Sequence, residues 1–563
     1  MEAKDYWERY EKGIQYNSSF KPNKDYYEAI KVWNDFYNGD QWNGVGGSSE
    51  LPKLVFNYTK RIIDFKIASV TSSDISVSVE PLRNTPVTDD NELEIDNTDF
   101  VNNEIKNVFE KWNFRILKKR ALRKAGISGD MCAHITFNPE AKPFRGFAPD
   151  VRGEMEIELI DATNIYFGNA NIKSVSKQPY IIIVGRDTVQ NLQEEAKQFK
   201  TQDNDIESDD DTEYQLTEFA NVEVEPADIE KDSDGKAKYI YYYYKKKVGE
   251  DIHVFVTKCT KDAIIYQDID TEYSDYPVAF ANWYELENTY HGRGEVEGIC
   301  PNQIAINKMF AMIVYHQMMT AFPTAVYDKD VIKSWNNEIG TVFALSNLNG
   351  RSIKDVAGYL NPANMSDYII KVIDLAIQYT KDCMGVSDAS LGNVDPKNTS
   401  AILAVQKSTA VPLENVKDNL YDFVEQIVRI MIDVMGTKYG ERPVVITDEE
   451  DGNRTIEKYD FAQLKGMDLH IGIDVGESSY YSEIAMLQTM DNLLQGQYIE
   501  FIDYLERIPN EMFPKKAEYI AQIKAKQQQE KEANYEQLSQ YMLMLPAQYQ
   551  KQFAQIIDQL VSV

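Results

Sequence analysis

The chain holds 563 residues, 43% hydrophobic and 12% aromatic, which suffices for a sizeable core and two or more domains and excludes a wholly disordered protein. Its 59 basic against 90 acidic residues leave a formal charge of −31, which speaks against a broad phosphate-binding surface while leaving room for a local basic patch. Acidity of this size equally suits a soluble, self-repelling surface.

Met1 to Lys12 is charged and aromatic and carries no cationic, apolar leader, which argues against secretion. Asp25 to Tyr37 reads as a helix with Tyr26, Ile30, Trp33, Phe36 and Tyr37 on one side, closed by Tyr37-Asn-Gly-Asp-Gln-Trp42 and a Gly-rich loop, Gly44 to Ser49. Lys53 to Val70 follows as a Val/Ile/Phe pattern. Ile75 to Pro81 then alternates as a strand with Ile75, Val77 and Val79 on one face. Asn91 to Trp112 is a helix with acidic early turns. Leu117 to Ile127 continues helically and carries the one conspicuous basic cluster, Lys118, Lys119, Arg120, Arg123 and Lys124. No aromatic residues interleave it, so it reads as a solvated face or an acidic intersubunit contact before a nucleic-acid site.

Short strands recur from Ala133 to Ile165, at Tyr180 to Val184, Tyr239 to Lys245 and His253 to Lys258, and Tyr241 to Tyr244 suits core and interface packing. Gln202 to Thr212 and Asp228 to Lys236 are Asp-rich, poor in apolar residues, and expected to be mobile.

A helix from Glu295 to Thr320, with Ile306, Met309, Phe310, Ile313, Val314 and Met318 at helical spacing, precedes a break. A second helix runs from Ser366 to Met384. Its stripe is Ile369, Ile373, Ile377 and Tyr379 to Thr380, and Lys371, Asp374, Lys381 and Asp382 occupy other faces. Rods on the order of 30 Å suggest a projecting hairpin that cannot bury both sides alone and is completed by neighbouring copies. An ordinary helical subdomain inside one enzyme stands beside that reading. The polar loop Gly385 to Asn398 disfavours regular structure. A third helix, Thr399 to Met435, places Ile402, Val405, Leu413, Val416, Leu420, Phe423, Ile427, Ile430 and Val434 on one ridge and is kinked at Pro412. Strands at Pro443 to Thr447 and Arg454 to Tyr459 flank an Asp451-Gly452 turn, Leu469 to Val475 adds another, and the Gln-rich tail from Ser478 reads as a separate helical layer.

Catalytic signals are weak. His291-Gly-Arg-Gly-Glu-Val-Glu-Gly298 begins like a phosphate loop, but Glu297 stands where the third glycine belongs and two glutamates would repel phosphate. Asp232 to Gly235 opens like a calcium loop, yet Tyr241 holds the position of the bidentate acid. The five histidines lack metal-ligand spacing, and the four cysteines, Cys132, Cys259, Cys300 and Cys383, lack Cys-x-x-Cys spacing and read as buried thiols in a reducing compartment. The most apolar window, Ile299 to Met319, holds Asn302, Gln303, Asn307, Lys308, His316 and Gln317, too many polar groups for a membrane span. No enzyme, cofactor or metal site is expected.

With those residues laid out, the chain resembles the portal proteins of tailed double-stranded DNA phages. The resemblance rests on Tyr37-Asn-Gly-Asp-Gln-Trp42, on Asn57-Tyr-Thr-Lys-Arg61 leading to Ile75-Ser-Val-Ser-Val-Glu-Pro81, and on the order helix, insertion, helix, polar loop, long kinked helix. It implies an α+β portal fold: an α/β wing (residues 1–294 and 399–477), a stem (295–320 and 366–384), a small α/β clip (321–365), a tunnel loop (385–398) and a helical crown (478–563). It further implies a dodecameric ring at one capsid vertex, assembled in the host cytoplasm, that passes double-stranded DNA without sequence specificity. The partners it implies are the terminase large subunit, a head-tail adaptor, and major capsid and scaffolding proteins, with no membrane. At −31 per copy, the channel would discourage DNA from adhering while it slides. Lys397 and the stem residue Lys308 would meet phosphates transiently, while Asp388, Ser390, Asn393, Asp395 and Asn398 shape the constriction. Lys329, Lys333, Arg351 and Lys354 in the clip would contact terminase or adaptor. The competing readings are another ring-forming virion component, such as an adaptor or baseplate protein, and a hydrolase with a dispersed acidic metal site.

Overall fold

The computed structural model describes residues 1–21, 25–43, 45–46, 51–72, 75–81, 91–141, 153–201, 206–208, 235–321, 325–333, 348, 350–359, 368–386, 411–447, 454–467, 469–475, 490–496 and single positions from 499 to 526. The chain forms two compact units, Met1–Thr71 with Ile75–Asp474, and Ser72–Asp74 with Val475–Val563. In the second unit, residues 490–495 are helical and the Tyr504 hydroxyl donates to Asp491 at 2.6 Å.

The first unit opens with α1 (Ala3–Ser19), which the sequence pattern did not reveal as a helix. Its signal is aromatic: Tyr6 and Tyr10, one helical turn apart, are buried against Tyr166 and Tyr242. Helices α2 (Tyr26–Asn38), α3 (Tyr58–Val70), α4 (Asn91–Lys111) and α5 (Phe114–Ser128) follow. Helix α2 buries Tyr26, Ile30, Trp33, Phe36 and Tyr37, as the periodicity predicts. It stops at Gly39, whose φ of 102° puts it in the left-handed conformation that glycine adopts at low cost. Strand β1 (Ile75–Pro81) lies before α4, with Val79 buried and Ile75 and Val77 against the core.

Strands β2 (Asp130–Asn138), β3 (Glu154–Ile160), β4 (Ile165–Phe167) and β5 (Tyr180–Thr188) lead to α6 (Val189–Gln198). Strands β6 (Lys236–Val248), β7 (Asp251–Cys259), β8 (Ile264–Asp270) and β9 (Val278–Asn282) come next. Strand β6 starts at Lys236, the last residue of a span expected to be mobile. The strands form two antiparallel sheets, β3-β2-β9 and β4-β5-β6-β7-β8. Alternation along β6 sends Tyr242 into the cluster of Tyr6 and Tyr10, and Tyr243 into the main core beside His134.

The helical hairpin comprises α7 (Glu295–Ala321) and α9 (Tyr368–Cys383), separated by β10 (Ala325–Tyr327), a single turn α8 (Ile353–Val356) and β11 (Ala357–Tyr359). At 27 and 16 residues the two described helices are unequal, about 40 and 24 Å long. After the hairpin, a 3-10 turn at Val411–Leu413 carries Pro412 into α10 (Glu414–Val434). The part of the expected long helix before residue 411 lies outside the described residues. Helix α10 packs across β9 and β2 and buries Val416, Leu420, Phe423, Ile427, Ile430 and Val434. The hairpin β12 (Glu441–Thr447) with β13 (Arg454–Asp460) follows, and β14 (Leu469–Val475) pairs with β1.

His134 is buried between the two sheets, with Nε2 2.9 Å from the Tyr243 hydroxyl, and burial pushes its imidazole down to about 4. The unfolded chain takes up this proton near pH 6.5 and the folded chain refuses it until about pH 4, so stability falls as pH drops through that window, by up to about 3 kcal/mol. His134→Gln keeps the hydrogen bond without the titration. Urea midpoints at neutral pH and near pH 4.5 are expected to differ less for this variant than for the parent.

Candidate functional site

The hairpin is anchored at its base by charges that are buried and paired. Glu295, the first residue of α7, is fixed by Lys66 of α3, whose Nζ lies 2.6 Å from Oε1, and by the Trp283 indole, which donates to Oε2 at 2.9 Å. Both charged side chains are under one-twentieth exposed. Two residues later, Glu297 pairs with Lys21 at 2.8 Å. A carboxylate in the first helical turn also complements the helix dipole.

A second carboxylate locks the loop that leads into α7. Asp130 is fully buried and accepts from the Gly292 amide at 2.6 Å, Asn282 Nδ2 at 2.7 Å and the Tyr26 hydroxyl at 3.2 Å. His291 Nδ1, 2.6 Å away, donates as well, while Nε2 of the same ring lies 2.9 Å from Asn17 Oδ1. Burial, and then the Asp130 charge, push the Tyr26 phenol well above its ordinary range. Residues from α2, β9 and the loop thus meet at the β2 anion, and α1 joins them through Asn17 against His291. The glycines of His291 to Gly298 serve closeness here: a Cβ on Gly294 would stand 2.5 Å from the Ile127 carbonyl oxygen, and one on Gly292 2.6 Å from that of Gly129. The phosphate-loop likeness is accounted for by backbone packing.

The polar residues of the apolar window have partners at the same base. Gln303 and Asn307 are buried. Gln303 Oε1 accepts from the Tyr58 amide at 3.1 Å, its Nε2 donates to the Phe56 carbonyl at 2.7 Å, and Asn307 Nδ2 donates to Gln41 Oε1 at 2.7 Å. Gln41 in turn donates to the Phe36 carbonyl, Asn57 donates to the Tyr37 carbonyl, and Asn57 Oδ1 caps α3 through the Lys60 amide. The segments Tyr37 to Trp42 and Asn57 to Arg61 are therefore the socket into which α7 is set. Lys308 belongs to this socket too, donating to the Gly46 carbonyl at 3.0 Å.

Beyond the socket the hairpin has little core. No residue of α7 from Met312 to Thr320 is buried, and in α9 only Ile373 and Thr380 are. Helix α9 presents three faces. Ile369, Ile373, Ile377 and Thr380 lie toward the buried side, as the spacing predicts. Tyr379, expected on that stripe, instead joins Tyr368, Val372 and Leu375 on a second apolar stripe at i, i+4, i+7 and i+11, and Tyr368 and Tyr379 are 74% and 63% exposed. Neighbouring positions in sequence point about 100° apart, so Thr380 and Tyr379 cannot share a face. Lys371, Asp374, Gln378, Lys381 and Asp382 make the third, polar face.

At the tip, β10 and β11 pair antiparallel, and Lys329, Lys333, Arg351 and Lys354 are all exposed. Arg351 is neutralised by Asp328 at 3.0 Å, leaving the three lysines as the tip's outward cations. Asp388, Ser390, Asn393, Asp395, Lys397 and Asn398 lie outside the described residues. Among the described residues no group of His, Cys, Asp and Glu is placed to hold a metal ion, and no helix is long and apolar enough to cross a membrane.

The family model described as phage P22-like portal protein matches residues 14–560. The chain belongs to this portal protein family. No curated protein matches the chain. Membership places it at the capsid-vertex ring through which phage DNA passes during packaging, as a structural component rather than an enzyme. The socket residues Asn17, Lys66 and Asp130 escaped the sequence reading because partners at positions 17, 66, 130, 291 and 295 carry no local spacing. The only hint was polarity within an apolar run.

Removing one partner of the Lys66–Glu295 pair strands the other charge in the core of the portal chain. Glu295→Gln is expected to lower unfolding free energy by about 3–5 kcal/mol. Lys66→Met combined with Glu295→Gln should recover at least about 1 kcal/mol relative to additivity in a denaturant double-mutant cycle.

Proposed function

We propose that twelve copies of this portal chain close into a ring in which the helical hairpin is the stem, each stem covered by the next, around a channel for double-stranded DNA. The observation that carries this reading is the second apolar stripe of α9, Tyr368, Val372, Leu375 and Tyr379, exposed on a helix whose other apolar side already lies against α7. Leaving such a stripe in water forgoes about 1.5–3 kcal/mol per large side chain, and a neighbouring stem recovers it in every copy at once. The polar third face, with alternating Lys371, Asp374, Lys381 and Asp382, suits a wall wetted by the channel or its surroundings, because mixed charge offers phosphate no continuous hold.

In this arrangement residues 295–320 and 366–384 are stem, 321–365 clip, 1–294 and 399–477 wing, and 478–563 crown. The loop 385–398 narrows the channel with Asp388, Ser390, Asn393, Asp395, Lys397 and Asn398. Lys308 braces the stem against Gly46, so Lys397 is the better candidate for meeting phosphate. The exposed clip lysines Lys329, Lys333 and Lys354 are the docking cations for the terminase large subunit during packaging and for the head-tail adaptor afterwards. The ring assembles in the host cytoplasm with scaffolding and major capsid proteins.

Val372→Asp with Leu375→Asp alters only exposed positions, so folding should persist while assembly weakens by about tenfold or more, read as a shift from ring to monomer in native mass measurements over dilution. Retention of the ring at parental concentrations would overturn the stem assignment. Deleting residues 387–397 should leave rings intact and reduce DNA packaged or retained per particle. A chain that no longer folds would mean that the segment is core.

A further inference from the structure

The basic cluster of α5 is divided in two by the fold. Lys118 is buried and Lys124 pairs with Asp161, whereas Arg115, Lys119, Arg120 and Arg123 form one exposed face. Arg115, Lys119 and Arg123 follow one another at i, i+4 and i+8, a cationic line about 12 Å long on a chain of net charge −31. Helix α10 carries its counterpart. Glu414, Asp418 and Asp422 are exposed at the same i, i+4 and i+8 spacing, and Glu425 continues the line. Partial desolvation at the helix surface raises the Asp422 carboxyl above its ordinary range, the Gln426 amide donating to it at 2.7 Å lowers it, and the charges of Glu425 and Glu285 raise it further, with Arg429 offsetting them in part. Among the described residues, the only ion pair either line makes is Glu425 with Arg429 on its own helix.

The two lines sit on different parts of the first unit. Helix α5 packs against α2, α3, α7 and β2, while α10 packs across β9 and β2. A heterologous contact between identical copies needs two different, mutually complementary patches on each copy, and that is what one basic and one acidic helix face of equal length supply. We propose that the Arg115, Lys119, Arg120 and Arg123 face of α5 docks on the Glu414, Asp418 and Asp422 face of α10 in a second copy of this chain, setting the register and handedness of subunit addition. This contact rests on the ring reading above and adds a second, polar interface to the apolar one between stems. Nucleic acid is the weaker occupant, since it would leave the acidic line without a role and would find no aromatic side chain to stack on.

The test uses the full-length chain. Arg115→Glu, Lys119→Glu and Arg120→Glu together should raise the concentration needed for half-assembly by about tenfold, and Glu414→Lys, Asp418→Lys and Asp422→Lys together should do the same. The chain carrying both sets has its complementarity restored in reversed sense and should assemble within about threefold of the parent. Parental assembly should also weaken as salt rises. If either reversed chain fails to fold, the Arg115→Gln, Lys119→Gln and Arg120→Gln chain replaces it, with a weaker loss expected. Assembly indifferent to both reversals, a combined chain no better than either alone, or reversal that abolishes binding of a short DNA duplex while rings persist would each overturn the contact. A parent chain that stays monomeric at every concentration would overturn the ring itself.

Discussion

The structure depends on two carboxylates taken out of water at the base of the hairpin. Asp130 and Glu295 are both buried, and a buried anion is tolerable only when every lone pair that matters is met by a donor. The donors come from far apart in the chain: Tyr26, Lys66, Asn282, Trp283, His291 and Gly292. Satisfying them fixes the end of one sheet, the starts of α2 and α7, and the tight loop between β9 and α7. The direction in which the hairpin leaves the body is therefore set at its root, by these anions together with the buried Val296, Ile299 and Ile306, since no residue from Met312 to Thr320 is buried.

That division of labour suits a conduit. At its base the hairpin combines polar anchoring with apolar burial of Val296, Ile299 and Ile306. In the proposed ring the exposed apolar stripe of α9 would meet the next stem, and the alternating charges of its third face would offer an anionic polymer no continuous hold. The chain as a whole is acidic, with the exposed α5 cations as a local exception.

Much of the fold was legible in the sequence because it is periodic. Helices α2, α7, α9 and α10 announced themselves through apolar recurrence, and β1 through alternation. Helix α1 was not legible, because Tyr6 and Tyr10 sit among charges that mask their spacing. The stripe of α9 was read one residue too wide at Tyr379, since a helix with two apolar faces looks in sequence like one broad face. The family motifs around Gly39 and Asn57 were legible as a pattern. Their purpose, holding Gln303 and Asn307, was not, because hydrogen-bond partners hundreds of residues away leave no mark on local composition. The tunnel-loop residues, by contrast, remain a reading from resemblance.

Electron microscopy of the purified full-length chain, viewed down the axis of its particles, tests the central claim most directly. The account predicts a closed ring with a central hole walled by paired helices, each burying Tyr368, Val372, Leu375 and Tyr379 against the next copy. A solitary particle in which α7 and α9 fold back onto their own body, covering that stripe from within the same chain, would contradict it.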